Sequence, residues 1–160
     1  MKLRNTVIQQ QDAARIQEIL THFLGESGAG EALLIDRGGH LLAMDGAAQE
    51  FDAVSISSLA AAAFSSTAAI AQLLGEPEFT VLFHQGTRRS IHVSTVDGDT
   101  ILLAVFDDKT TVGMVRLFAT DACRAIARVL GETRARPKPQ DEFAAPLSDT
   151  ESGRAWTPPS

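Results

Sequence analysis

Between Asp52 and Glu76 the chain runs for the length of a helix without one charged side chain. Residues 55–75 read SISSLAAAAFSSTAAIAQLLG, mostly alanine, serine and larger aliphatic groups. This stretch constrains the fold more than any other part of the sequence, because a surface helix ordinarily carries charged groups on its outer side. Its length approaches the ~20 apolar residues of a bilayer span. Ser55, Ser57, Ser58, Ser65, Ser66, Thr67 and Gln72 interrupt the apolar character, however. Such groups are costly to take into hydrocarbon. The expectation is a helix of a soluble domain, covered on both sides.

A helical wheel at about 100° per residue sets out the two sides. Ile56, Leu59, Ala63, Thr67, Ile70 and Leu74 fall on one stripe, expected to lie on a sheet. The opposite face carries Ser58, Ala61, Ser65, Ala68, Ala69 and Gln72. Small side chains let another surface approach the backbone closely, and an uncharged patch costs little to desolvate. The plainer alternative is an Ala-rich helix held by propensity and left in water. Cover by another protein chain accounts better for the missing charge.

The rest of the chain supplies the sheet. Ile16, Ile19, Leu20, Phe23 and Leu24 follow the i, i+3, i+4, i+7, i+8 pattern of an amphipathic helix, expected to end near Gly25. Residues 31–36 read as a short buried strand, turned by Arg37-Gly38-Gly39-His40 into a second over 41–44. After the uncharged helix come β-runs at 79–85, 89–96 and 100–106, the last two joined by Asp97-Gly98-Asp99. Thr110 or Thr111 is placed to cap a final helix, with Val115, Ala119, Ala122, Cys123, Ile126 and Leu130 on its core side. The order α-β-β-α-β-β-β-α, with hairpins on either side of the middle helix, implies an α/β (α+β) fold. Its five-stranded antiparallel sheet would be sandwiched between helices.

Five of the six prolines fall from Pro137 onward, in a segment too poor in large apolar groups to offset its ordering entropy. The expected division is a flexible leader over 1–11, one domain over 12–132 and a disordered Pro-rich tail over 133–160. A length of 160 residues and 44% hydrophobic content suit a single core. A net charge of −6 gives no footing for nucleic acid or an anionic membrane. One Cys excludes an internal disulfide, and residues 1–4 are not followed by an apolar signal core, so a cytoplasmic location is expected.

Self-sufficient chemistry is hard to find. Residues 25–30, GESGAG, lack the Lys-Ser/Thr ending of a phosphate-cradling loop, and no Gly-x-Ser-x-Gly is present. No catalytic residue, cofactor site or metal site is therefore assigned. His84 and His92 can face each other across a hairpin, but two ligands without a third make a weak metal site. Asp107-Asp108 suits the positive end of a helix dipole better than a cation. Arg88-Arg89 can serve as an arginine finger or, more simply, keep an edge strand soluble. Such a chain acts by binding.

Three stretches together carry a family likeness: LLIDRGGHLLA (residues 33–43), LLGEPEFTVLFHQG (73–86) and ILLAVFDDKTTVGMVRL (101–117). With the element order, they resemble the Roadblock dynein-light-chain superfamily. The pairing of LGExxF…HQG with FDxxTxxGxVRL resembles the bacterial MglB proteins more closely. The resemblance covers about residues 12–131 and implies a homodimer joined through the middle helix and the strand after it. It also implies a partner: a Ras-like GTPase of the MglA type, docked on the paired helices in control of cell polarity and gliding motility. Carried over by position, Ser58, Ala61, Ala62, Ser65, Ala69 and Gln72 belong to that helical layer. Phe79, Val81 and Phe83 belong to the dimer seam. Stimulation of GTP hydrolysis in such proteins is understood as orientation of the GTPase's own groups, not as donated chemistry. The polarity role implies recruitment to a cell pole. Some MglB proteins carry an acidic, partly helical C-terminal segment, whereas this chain ends in Pro158-Pro159-Ser160, with Trp156 either a docking anchor or solvated. Two other functions stay open: a Roadblock scaffold that does not accelerate hydrolysis, and a small-molecule sensor of the PAS or profilin-like kind. The latter needs a polar-lined cavity that an Ala/Ser surface does not promise.

Overall fold

The computed structural model describes residues 8–46, 52–136 and 159. Eight elements follow in the expected order: α1 (Gln10–Ser27), β1 (Glu31–Asp36), β2 (Leu41–Gly46), α2 (Ala53–Leu74), β3 (Val81–His84), β4 (Ser90–Asp97), β5 (Thr100–Phe106) and α3 (Val112–Ala135). All strand pairs are antiparallel, in the five-stranded order β2-β1-β5-β4-β3. The first and last strands of that order are edges, and β3 is one of them.

Two apolar layers follow from the alternation of side chains along the central strands. Leu102, Ala104 and Phe106 of β5 point to one face, where α1 and α3 bury Ile16, Leu20, Phe23, Val115, Ala119 and Ile126 against them. Ile101, Leu103 and Val105 point to the other face, with Leu33, Ile35 and Val93, beneath Ala61 and Phe64 of α2. The sheet is thus sandwiched, with two helices on one side and one on the other.

Local chemistry sets the boundaries. Thr111 caps α3 by accepting a hydrogen bond from the Met114 amide at 3.2 Å. Thr110 instead donates from its Oγ1 to the Ser27 carbonyl at 2.6 Å, tying the start of α3 to the end of α1. α1 runs past Gly25 to Ser27 and stops at Gly28, which takes the left-handed φ of 76° that ends helices. A helical Gly costs only about 1 kcal/mol, less than the packing of Phe23 and Leu20 returns. β3 is shorter than the run over 79–85, because only residues 81–84 pair in register with β4. The ends of α1 and α3 are joined through Asp12, which is fully buried and accepts from Thr133 Oγ1 at 2.9 Å and Arg136 Nη1 at 2.8 Å. α3 therefore continues through Ala135, beyond the expected domain end at 132, and α1 begins within the expected leader. Trp156 and most of the expected tail lie outside the described residues.

Candidate functional site

α2 is a well-made helix that its own domain covers on one side only. The Asp52 carboxylate accepts from the Ser55 amide at 3.1 Å and from its hydroxyl at 2.5 Å. These bonds hold the Asp52 carboxyl below its usual pKa. At the other end Gly75 (φ 77°) closes the last turn, donating to Gln72 O, while the Glu76 amide reaches Ala71 O at 2.9 Å. Ser57, Ala61, Phe64 and Ala71 are buried toward the sheet, flanked by half-buried Ile56, Ala60, Thr67 and Ala68. The Arg37 guanidinium stacks over the Phe64 ring at 5.7 Å and pairs with Glu78. This pins the α2–β3 connection beside the β1–β2 turn.

The stripe expected on the sheet is corrected here. Leu59 is 70% exposed, Ile70 51% and Leu74 68%, whereas Ala61 and Ala68, expected outward, turn toward the sheet. The helix is rotated by about 100°, one residue's step, from the wheel's orientation. The wheel ranks faces by the size of their apolar groups. The contact with β1 instead uses small residues around a single Phe, which brings the helix axis close. Of the helical-layer residues inferred from the family, Ser58, Ala62, Ser65, Ala69 and Gln72 lie on the open side. Ala61 does not, being buried at 4%.

That open side is more apolar than the wheel suggested. Val54, Leu59, Ile70, Leu73 (88% exposed) and Leu74 stand out among the alanines and serines. Ser66 and Thr67 turn their hydroxyls back onto Ala62 O (3.0 Å) and Phe64 O (2.7 Å), so these two groups add little to the cost of burying that side. By length and composition α2 could cross a bilayer. It nevertheless forms one layer of the core, and removing it would uncover Leu33, Ile35 and Leu103.

At the sheet edge away from β2, β3 leaves one flank of its backbone unpaired among the described residues. Val81 and Phe83 are half-exposed and pair in register with Ser94 and His92, on the α3 face of the sheet. Phe83 stacks on Phe106 with ring centroids 6.1 Å apart. Phe79, half-buried, precedes the strand. One domain thus carries both an apolar helix face and an open strand edge, and both need cover.

The sequence matches the Roadblock/LC7 domain family over residues 15–106. The chain belongs to the Roadblock/LC7 family. Among solved structures, MglB of Myxococcus xanthus is 26% identical at a TM-score of 0.75, covering 83% of this chain and 98% of that one. The gliding protein MglB of Thermus thermophilus is 35% identical at 0.74, covering 79% of this chain and 96% of its own. An MglB described as having a tetrameric arrangement is 35% identical at 0.76, over the same shares. A search of curated proteins finds no match.

Within this Roadblock domain the other singled-out residues do not converge. His84 and His92 occupy neighbouring registers on opposite sheet faces, opposite Ile91 and Phe83 respectively, so they do not face each other. His92 is 1% exposed, and neither ring nitrogen has a partner among the described residues. Burial, with Arg116 nearby, lowers its pKa. Cys123 donates to Ser94 Oγ at 3.6 Å, and burial pushes its thiol up to about 11. It packs as a small core group. Among the described residues, no cluster of His, Cys, Asp and Glu could hold a metal. Arg88, Arg89, Asp107 and Asp108 line an open groove between the β3–β4 turn and the start of α3. Opposite charges share that groove, giving it no single preference for an anion or a cation. Sequence reasoning missed the outward Leu59, Ile70 and Leu73. The signal was present, since apolar residues on every side of a helix imply burial on every side.

Proposed function

We propose that this chain is a homodimeric, MglB-type activator of a small Ras-like GTPase, acting in the cytoplasm and in the control of cell polarity. The observation that carries the reading is the charge-free α2 face, with Leu59, Ile70 and Leu73 exposed, in a domain that also leaves the β3 edge open and in a chain 35% identical to solved MglB proteins. Two copies joined along β3 cover the strand edge, with Phe79, Val81 and Phe83 at the seam. The paired α2 helices form a platform for the GTPase. Ser58, Ala62, Ser65, Ala69 and Gln72 admit close approach there. From Ala53 to Leu74 the helix has no Arg or Lys, so the platform offers no cation to a transferring phosphate. Acceleration then comes from holding the GTPase's own catalytic groups in a productive arrangement. The regulator has no active site of its own.

The test is single-turnover GTP hydrolysis by an MglA-type GTPase with and without this protein, alongside a binding measurement. Faster hydrolysis supports the proposal. Binding without acceleration makes the protein a scaffold, and absence of binding removes the GTPase reading altogether.

A further inference from the structure

On the face opposite α2, a groove of about 360 Å³ opens between α1 and α3. Ile19, Phe23, Phe118, Ala122 and Ala125 line it, with Glu18, His22 and Asp121 on the rim. It has room for a large side chain. Along the neighbouring ridge of α3, Leu117, Asp121, Arg124 and Arg128 recur at i, i+4, i+7 and i+11. All four are exposed, on the side turned away from the core residues Val115, Ala119 and Ile126, and Leu117 is 58% exposed. Asp121 belongs to both the ridge and the groove rim. The side chains of Asp121, Arg124 and Arg128 have no ion pair or hydrogen bond among the described residues. On the same two helices Arg15 is paired with Glu132 and Arg136 with Asp12.

This ridge is complementary to itself. Its first half offers an apolar group and a carboxylate, its second half two guanidinium groups. Leu117 to Asp121 and Arg124 to Arg128 each span one helical turn, about 6 Å along the axis. A two-fold axis crossing α3 between Asp121 and Arg124 lays a second α3 antiparallel on the first with the two halves in register. Asp121 then meets Arg124 of the other copy, and by symmetry the same pair forms twice. Leu117 meets the aliphatic stem of the other copy's Arg128 and lies against the Ala125 end of that copy's groove. A purely acidic or purely basic partner satisfies only one half of the ridge. A second copy of this chain satisfies both, because each half is brought onto the other.

We propose that the α1–α3 face is a self-association surface, on which the α3 helices of two copies pair antiparallel through Leu117, Asp121, Arg124 and Arg128. The contact is separate from the β3 seam, and it leaves the α2 faces of both copies turned outward.

Sedimentation velocity on the full-length chain, over rising concentration, tests this. The parent is expected to pass from its dilute form to a heavier species. Leu117→Glu should raise the dissociation constant of that step by about tenfold or more, since it sets an unpaired charge against an apolar wall. Asp121→Arg and Arg124→Asp should each prevent the step, by placing like charges opposite each other, and an equimolar mixture of the two variants should restore it. These readouts are the same whether the dilute form is the β3-seam dimer or a single chain. Failure of the seam therefore shows as a dilute form with the mass of one chain and does not count against this surface. All three positions are exposed, so the variants should melt within a few degrees of the parent. A parent with no concentration-dependent step overturns the proposal, as does a step that Leu117→Glu leaves unchanged or a mixture that behaves like its components. Should Leu117→Glu not fold, the mixture decides.

Discussion

Gly39 holds a φ of 87° against the flank of α2, where a Cβ would come within 2.9 Å of the Ser58 Cα. Two penalties coincide there: a left-handed backbone that other residues resist, and a steric overlap with main chain. Gly39→Ala should cost about 1–3 kcal/mol, read as a lower midpoint in chemical denaturation. A second residue-scale prediction concerns His92, which is buried without a partner for either nitrogen among the described residues. Its pKa in the fold lies below the ordinary 6.5, first because of burial and then because of Arg116. Above pH 6.5 the ring is neutral in both the folded and unfolded states and affects stability little. Below that pH the unfolded chain takes up the proton more readily, so the fold loses stability as pH falls through 6.5 toward the folded value. His92→Leu should show a weaker loss between pH 7.5 and 5.5, measured by denaturation at each pH. Identical profiles would mean that His92 does not titrate differently on folding.

At the scale of elements, α2 presents alanines on both sides, and the two sides should answer substitution differently. Ala61→Arg places a cation against Leu33 and Leu103 and should destabilise the domain by several kcal/mol. Ser65→Arg and Ala69→Arg leave the sheet contact alone and should melt within a few degrees of the parent. If the GTPase lies over them, its affinity should fall by about a hundredfold or more, since a buried unpaired charge costs several kcal/mol. Mass and affinity measured on the same variants separate a docking face from a dimer seam: monomers indicate a seam, and intact dimers with weak binding indicate docking. The elements themselves were legible in the sequence, because strand alternation, Asp97-Gly98 and the Thr111 cap are local signals. The rotation of α2 was not. Its residues are so uniformly small and apolar that every orientation looks similar on a wheel, and only the close approach of Ser58 to Gly39 and the fit of Phe64 under Arg37 select one.

For the whole molecule, the open β3 edge and the outward Leu59, Ile70 and Leu73 predict a dimer that survives dilution to low micromolar concentration. Light scattering that returns the mass of one chain there would refute it. Association with the GTPase should also be nearly independent of salt. Raising ionic strength from about 0.1 M to about 1 M shortens the Debye length from about 10 Å to about 3 Å. An interface centred on α2 has no charge to screen, so affinity should change by less than about threefold. A steep fall would place the contact on charged parts of the domain instead.

The sequence by itself determined the element order, the two-sided sheet and the presence of a helix that one domain cannot finish covering. Those properties follow from periodicity and composition, which act over a few neighbouring residues. Tertiary structure alone decided which side of α2 remains open, and that Ala61 is core while Leu59 is not. It also decided that His84 and His92 point to opposite faces, and that α1 and α3 leave a groove between them. These depend on register and on how closely two surfaces approach, and neither quantity belongs to any single segment of chain.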